Sequence, residues 1–306
     1  MRQFFRFFLL NMLVLLNISL AHAQAVQVVA SFSILGDLTQ QIGGDRVKVY
    51  TLVGPDADAH VYQPTPADSR QLAGANLVIV NGLGFEGWLD RLVRASGYRG
   101  SMLIASNGVA ARNEAGQPAK KGDAIDPHAW QDPRIVQRYV ANIAAGLISV
   151  DPAGRVVYAA NAARIDEELV RLDAAIRDGV SRLPAGSRTI VTSHDAFGYF
   201  SAAYGLRFLA PSGVATEAEP SAAQVARLIK QIRQDKIPAL FMENITDPRL
   251  LERIRSETGV RVGGTLYSDA LSKTDGPAAS YVAMMRYNVS TLLKALAPDL
   301  ELKGLK

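Results

Sequence analysis

The residues of this chain that could do chemistry at neutral pH are few. The sequence of 306 residues contains four histidines and no cysteine, so disulfides, thiolate catalysis, iron–sulfur clusters and cysteine-based zinc fingers are excluded. One histidine, His22, lies in an N-terminal segment that we expect to be removed, which leaves His60, His128 and His194. Imidazole serves as a transition-metal ligand or as a general acid–base. Any such chemistry therefore depends on these three side chains.

Each of the three histidines stands in a loop that comes after a predicted strand. His60 lies in GPDADAHVYQPTP, His128 in IDPHAWQDP and His194 in TIVTSHDAF, and Asp269 in TLYSDALS follows the last predicted strand. In open α/β sheets, ligands bind beyond the carboxyl ends of the strands. We therefore expect these four side chains to converge in a crevice between two halves of the molecule. Taken singly, each histidine could instead bind backbone in its loop, and Asp269 could be a turn residue.

Other chemistries have little support in the sequence. The run Ser193-His194-Asp195 could be mistaken for a hydrolase triad, but adjacent residues in a strand point to opposite faces and cannot hydrogen-bond in series. The chain has no G-x-S-x-G motif, no Walker loop and no G-x-G-x-x-G motif. With 33 Lys+Arg against 29 Asp+Glu, the formal charge of +4 is too small to indicate a nucleic-acid partner.

The elements that must position the candidate residues alternate between strands and helices. The predicted strands are 26–34, 47–53, 77–81, 102–105, 189–193, 207–209, 239–242 and 262–266. The predicted helices are 35–42, 65–73, 85–95, 133–149, 197–204, 222–235, 248–257 and 278–297. This alternation predicts an α/β fold of two lobes, each with a central, mostly parallel sheet.

A long helix is predicted between the two lobes. From Ile165 to Leu183 apolar residues recur at intervals of three and four, and acid-before-base pairs are spaced four apart. About 30 helical residues would span roughly 45 Å. The predicted organisation is an N-terminal lobe at 24–153, a connecting helix at 154–184 and a C-terminal lobe at 185–306. A stiff connector predicts small lobe motions rather than wide closure.

Residues 1–23 have the pattern of a cleaved signal peptide. Arg2 and Arg6 precede an apolar stretch from 7 to 20, and the A-x-A pattern at 21–23 predicts cleavage after Ala23. An uncleaved anchor is the alternative, although the stretch is shorter than the roughly 20 residues of a membrane span. With no cysteine to carry a lipid, we expect an unanchored periplasmic protein.

Seven segments together resemble one family, the zinc- and manganese-binding solute-binding proteins of bacterial ABC importers (cluster A-I). They are GPDADAHVYQPTPAD, NGLGFEGWLD, DPHAWQDP, TSHDAFGYFSAAYGL, PSGVATEAEPSA, FMENITDPRLLERI and GGTLYSDALS. The resemblance runs in family order over essentially the whole mature chain. It implies two metal-binding lobes joined by a long helix, with one metal ion between them bound by His60, His128, His194 and Asp269. It further implies a carrier that is not an enzyme and that reaches the membrane only through a cognate permease and its ATPase.

The donor set favours Zn²⁺ as the cargo, with Mn²⁺ as the alternative. Three imidazoles and one carboxylate complete a tetrahedral zinc site, whereas manganese members of the family usually have a carboxylate where His194 stands. A periplasmic zinc hydrolase with Asp269 as its base is a weaker alternative, because catalytic zinc keeps one position open for water. A binder of organic solutes is weaker still, since Trp88 and Trp130 lie outside aromatic-rich segments.

Nearby polar residues are expected to orient the metal-bound imidazoles. The candidates are Asn81, Asp195, Glu217 and Glu243. Many zinc-specific members of the family carry a histidine-rich loop in the first lobe, but the corresponding stretch 107–126 has no histidine. We therefore do not expect that loop to capture metal. We expect a monomer without a nucleic-acid partner, and a metallochaperone is one candidate source of its metal.

Overall fold

The computed structural model describes residues 25–300 and 304–305 of the chain. The predicted signal peptide, 1–23, lies outside the described residues. Within them, two four-stranded parallel sheets alternate with helices, and one helix is much longer than the others. The predicted α/β fold class is confirmed. No helix in this described part of the chain is both long and apolar enough to cross a membrane.

The first sheet consists of four parallel strands in the order β2-β1-β3-β4. The strands are β1 (Val26–Phe32), β2 (Val47–Val53), β3 (Leu77–Val80) and β4 (Ser101–Ile104). The helices of this half are α1 (Ser33–Gly43), α2 (Pro66–Ala73), α3 (Leu89–Ser96) and α4 (Pro133–Val150). The central strand β3 is a run of four buried aliphatic residues, as expected for a parallel sheet covered on both faces.

A small antiparallel ribbon follows the first sheet. It pairs β5 (Arg112–Asn113) with β6 (Ile125–Asp126). The sequence predicts only a loop over 107–126, so the ribbon is a difference from that prediction. Strands of two residues are too short to show any periodicity in the sequence.

The long helix α5 (Arg155–Ser181) joins the two halves. It packs against α1 and α4 of the first half and against the last helix of the second half. Its buried residues include Ile165, Leu169, Leu172 and Ile176, which is the face that the sequence predicted. The helix thus contributes one continuous apolar face to both halves.

The second sheet repeats the strand order of the first. Its strands are β7 (Thr189–Val191), β8 (Arg207–Leu209), β9 (Ala239–Glu243) and β10 (Arg261–Leu266), in the order β10-β9-β7-β8. The helices are α6 (Gly198–Tyr204), α7 (Ala222–Asp235), α8 (Arg249–Thr258) and α9 (Tyr281–Leu296). Read from its β8 edge, the sheet has its second strand first, then its first, third and fourth strands, as in the first sheet. Each sheet therefore has a topological switch point beside its first strand, where ligands bind in such folds.

The apolar interior divides unequally. The main core runs without a break from β1 to α9 and includes residues of both sheets and of α5. A smaller core lies under α7 and α8, and its members include Val225, Ile229, Leu251 and Ile254. The two halves are thus joined through the main core, whereas the layer formed by α7 and α8 packs separately.

Two of the predicted boundaries that differ from the structure have local explanations. Strand β1 ends at Phe32, not at residue 34, because α1 begins at Ser33 and its hydroxyl accepts a hydrogen bond from the backbone of Leu271. Residues 85–88 precede the helix instead of opening it. The turn before them has positive φ at Gly82, Leu83 and Gly84, a conformation that glycine tolerates and that ends regular structure.

Candidate metal site

The fold brings together all four residues that the sequence singled out. One ligand atom from each of His60, His128, His194 and Asp269 lies within 4.8 Å of the others, and all four residues are buried. Nε2 of His60 and Nε2 of His194 are each 3.1 Å from Oδ2 of Asp269. Nε2 of His128 is 3.6 Å from Oδ1 of Asp269 and 3.4 Å from Nε2 of His60. The four donors therefore face a common centre.

The shortest of these spacings have the size of the edges of a coordination tetrahedron. Metal–ligand bonds of about 2.0–2.1 Å in tetrahedral geometry separate neighbouring ligand atoms by about 3.3–3.4 Å. The shortest separations, 3.1, 3.4 and 3.6 Å, lie on both sides of that value. With all four ligand atoms within 4.8 Å of one another, the cluster has the size of a site for one small divalent cation.

A repeated acid–histidine spacing shapes both loops of the first half. Asp58 and Asp126 each stand two residues before a histidine, and their carboxylates accept hydrogen bonds from the backbone N–H groups of His60 (2.8 Å) and His128 (3.0 Å). Such Asx turns fix the loop backbone. Our sequence reasoning missed both aspartates, although the D-x-H spacing in DAH and DPH is visible in the sequence.

Carboxylates also orient two of the three imidazole rings. Oδ1 of Asp126 lies 2.8 Å from Nδ1 of His128. Oε2 of Glu243 lies 2.7 Å from Nδ1 of His194, a close contact that departs from ideal hydrogen-bond alignment. Pairing at Nδ1 directs Nε2 of each ring to the centre, as in the carboxylate–histidine arrangement of metal sites. Glu243 was among the predicted orienting residues, whereas Asp126 was not.

The other three predicted orienting residues do not pair with an imidazole. Asn81 donates from its amide to the carbonyl of Pro127 (3.0 Å) and accepts from the Tyr139 hydroxyl (2.6 Å), so it supports the loop before His128. No hydrogen bond joins the carboxyl of Asp195 to an imidazole among the described residues, and burial raises the pKa of this carboxyl to about 6. Glu217 is exposed and lines a cavity next to His60.

A half-buried glutamate holds the strand ends of the first half. Oε1 of Glu86 accepts hydrogen bonds from the backbone N–H of Asn81 and from the Ser31 hydroxyl, both at 2.6 Å. Glu243 does the same in the second half, where Oε1 accepts from the backbone N–H groups of Ser193 (2.7 Å) and His194 (3.0 Å). Each half therefore has a glutamate, Glu86 after β3 and Glu243 at the end of β9, that binds near the carboxyl end of the first strand of its sheet.

The buried charges stabilise one another. Burial alone would lower the pKa of His128, but the carboxylates of Asp269 and Asp126 outweigh this effect and raise the pKa to about 9. For His194, burial is likewise outweighed by Glu243 and Asp269, so its pKa lies well above the usual value. Burial would raise the pKa of Asp269, but His128 and His194 hold it well below its usual range. A cation that binds here must therefore displace protons.

Hydrogen bonds fasten the loop of Asp269 to the first half. The indole N–H of Trp130 and the amide of Gln131 both donate to the carbonyl of Ser268, at 2.9 and 2.7 Å. The Tyr281 hydroxyl donates to the carbonyl of Trp130 at 2.8 Å. The site is therefore built from loops of both halves that are bound directly to each other.

The sequence matches a family model over nearly its whole length. Residues 28–295 match the family described as zinc-uptake complex component A, periplasmic. The chain belongs to this family. Its members are solute-binding proteins, not enzymes, and they work with the permease and the ATPase of a metal ABC transporter. The chain is therefore a metal ABC transporter substrate-binding protein.

Curated relatives align over most of both chains. The manganese-binding lipoprotein MntA of Halalkalibacterium halodurans is 32% identical over 274 residues, which cover 90% of this chain and 89% of the relative. The iron-binding protein YfeA of Yersinia pestis is 33% identical over 277 residues, which cover 89% and 86%. The names of these two proteins differ in the metal, so membership of the family does not settle which metal is carried.

A solved structure shares the fold. The periplasmic zinc-binding protein TroA of Treponema pallidum superposes with a TM-score of 0.83 at 29% sequence identity, over 90% of this chain and 100% of the other. The predicted resemblance to metal-binding solute-binding proteins is therefore confirmed in fold and family.

Proposed function

We propose that this protein captures one divalent transition metal ion, Zn²⁺ in preference to Mn²⁺, and delivers it to an ABC importer. His60, His128, His194 and Asp269 are the proposed ligands. The observation that carries the proposal is that four buried donor atoms from both halves lie within 4.8 Å of one another. The metal is the cargo, held between two lobes, at 24–153 and 185–306, that the connecting helix 154–184 joins.

The chemistry of the donors supports the preference for zinc. Three imidazole nitrogens and one carboxylate are borderline-soft ligands that suit zinc better than manganese. At sites of nitrogen and oxygen donors, affinity also rises generally from Mn²⁺ to Zn²⁺. The shortest separations between ligand atoms, 3.1 to 3.6 Å, fit the short bonds of tetrahedral zinc.

One observation supports Mn²⁺ as a second candidate. Oδ1 of Asp269 is buried and has no hydrogen-bond partner among the described residues. A metal that bound both carboxylate oxygens would satisfy this atom and would gain a fifth ligand. Manganese accepts more oxygen donors than tetrahedral zinc does.

The arrangement of the ligands supports transport in preference to catalysis. Four protein donors complete a tetrahedral site and leave no position for a reactive water, which catalytic zinc retains. All four donors are nitrogen or oxygen atoms, whereas structural zinc sites are typically bound by cysteine thiolates. Such a site can bind an ion tightly and still release it.

We further propose that the protein acts as a monomer in the periplasm after cleavage near Ala23. Several relatives are named lipoproteins, but none of the 306 residues of this chain is a cysteine that could carry a lipid. The cognate permease and its ATPase are the proposed partners, and a metallochaperone is one candidate donor of the metal.

The proposal is tested by titration of the metal-free protein with Zn²⁺ and Mn²⁺ against a chromophoric chelator. We expect one equivalent of metal per chain and a lower Kd for Zn²⁺. Asp269→Asn should weaken binding strongly, whereas Asp275→Asn, an exposed aspartate in the same segment, should not. Absence of stoichiometric binding, or equal effects of the two variants, would contradict the proposal. Tighter binding of Mn²⁺ would replace the proposed cargo.

A further inference from the structure

A cavity leads from the surface to one of the proposed ligands. Its volume is about 340 Å³, and it is bounded by Leu83, Phe85 and His60 from the first half and by Val214, Ala215 and Glu217 from the second. The side chain of His60 is 4% exposed, whereas those of His128, His194 and Asp269 are at most 1% exposed. His60 is therefore the ligand through which the site meets solvent.

The segment 211–220, which connects β8 to α7, covers this cavity. Val214 of this segment is buried, yet it belongs to neither the main nor the smaller apolar core. The helix that follows packs in the smaller core, away from the core that joins the two halves. The segment could therefore move without disturbing the main core.

One side-chain hydrogen bond fastens this segment to the first half. The Thr216 hydroxyl donates to Oδ2 of Asp58 at 2.6 Å, and among the described hydrogen bonds no other links 211–220 to the first half. The second oxygen of Asp58, Oδ1, accepts from the backbone N–H of His60. The contact that holds the segment 211–220 in place is therefore connected through the carboxylate of Asp58 to His60, the most accessible of the four proposed ligands.

A second cavity between the halves has the opposite character. It is also about 340 Å³, but its lining residues include three arginines, Arg112, Arg134 and Arg138. The one acid among its described lining residues, Asp132, is paired with Arg134. A divalent cation would be repelled there. The cavity at His60 instead has Glu217 and neither lysine nor arginine among its described lining residues.

We propose that the cavity at His60 is the path by which metal enters and leaves, and that the segment 211–220 is its gate. Thr216 is the positioning residue that keeps the gate closed. Glu217 is a transient ligand that receives the partly hydrated ion before His60 does. This proposal rests on the proposed function, and it names the residues that set the rate of metal exchange.

The first test measures the rates of Zn²⁺ uptake and release by stopped-flow mixing with a chromophoric chelator. A hydrogen bond to a charged group is worth roughly a ten- to hundredfold change in an equilibrium constant. Thr216→Val should therefore accelerate both uptake and release at least about tenfold and change Kd much less. Thr216→Ser, which keeps the hydroxyl, should behave as the unaltered protein. Rates unchanged in Thr216→Val, or altered equally in both variants, would overturn the role of Thr216.

The second test blocks the path. Ala215→Phe should slow uptake and release of Zn²⁺ by a similar factor and leave Kd nearly unchanged. The matched control is Ala202→Phe, which places the same bulk in the arginine-lined cavity and should leave the rates as they are. If Ala215→Phe does not slow exchange, or Ala202→Phe slows it as much, the path is wrong. Thermal unfolding of both variants verifies folding, and the Thr216 pair decides the gate independently.

The third test concerns the transient ligand. Glu217→Gln should slow uptake of Zn²⁺ several-fold at low ionic strength with little change in Kd, because the carboxylate attracts the ion without holding it in the closed site. An unchanged uptake rate would remove Glu217 from the path. These outcomes are distinct from failure of the proposed function, in which the unaltered protein would not take up Zn²⁺ at all.

Discussion

His60 and His194 are both proposed ligands, but they are held in different ways. Glu243, at the end of β9, contacts both the backbone N–H and the Nδ1 atom of His194. His60 has its backbone N–H bound by Asp58, and among the described residues no carboxylate pairs with its Nδ1 atom. His194 is supported by the sheet, whereas His60 is supported by a loop.

This difference suggests a division of roles. A ring fixed by a buried carboxylate is already oriented for the metal, so its contribution is chiefly to affinity. A ring on a loop next to a cavity can leave the metal first, so its contribution is chiefly to exchange. The same protein can then bind its metal tightly and still release it to a permease, provided that the site opens at the cavity next to His60.

The largest expected effect is the loss of a ligand on the fixed side. His194→Ala should raise the Kd for Zn²⁺ well beyond the roughly 10–100-fold that removal of an orienting residue costs. Competition titration measures this change. Glu243→Ala should cost far less than His194→Ala, because it leaves the donor atom in place. Equal losses would contradict the assignment of the ligands.

The next effect is that of pH on affinity. Because the neighbouring carboxylates raise the pKa of His128 to about 9, its proton must leave before the metal can bind. Affinity should therefore rise as the pH increases toward 9, by up to about tenfold per pH unit for each proton displaced. It should fall steeply below pH 6.5, where free imidazole is also protonated. A Kd that is constant from pH 5 to 8 would count against histidine ligands.

A smaller effect should distinguish the support of His194 by Glu243 from the support of His60 by Asp58. Glu243→Gln should raise the Kd for Zn²⁺ about 10–100-fold, whereas Asp58→Ala should chiefly accelerate metal release. Both quantities come from the same pair of equilibrium and stopped-flow experiments. If Asp58→Ala weakened binding as much as Glu243→Gln without faster release, the division between affinity and exchange would be wrong.

The smallest effect should be the relative motion of the two halves. The main core and the helix α5 join them, so crystal structures with and without metal should differ by a rotation of less than about 20°, since wider hinge closure needs flexible residues. The displacement of 211–220 should exceed that of α5. A wider rotation with an unmoved 211–220 would favour hinge opening over the proposed gate.

Much of this site could be predicted from the sequence because the carboxyl ends of buried strands can be recognised from their apolar runs. His194 follows β7 and Asp269 follows β10, and parallel sheets bring such positions to one edge. The connecting helix was equally visible, since the apolar residues from Ile165 onward keep one face over many turns. Long periodic elements and the ends of buried strands are properties of the local sequence.

The supporting contacts were harder to predict because they depend on distant residues. Glu86 and Ser31 meet across 55 positions of sequence, and Thr216 and Asp58 across 158. Nothing in the local pattern of PSGVATEAEP indicates that its threonine contacts another loop. The exception is Asp126, whose spacing of two from His128 is local and could have been used.

The central claim is that one metal ion is held by three imidazoles and one aspartate between the two halves. X-ray absorption spectroscopy on the protein loaded with one equivalent of Zn²⁺ tests it most directly. The account predicts only nitrogen and oxygen neighbours at about 2.0–2.2 Å, with the multiple-scattering signature of three imidazoles that falls to two in His194→Ala. A spectrum with fewer than three imidazoles in the unaltered protein, or one unchanged in His194→Ala, would contradict it.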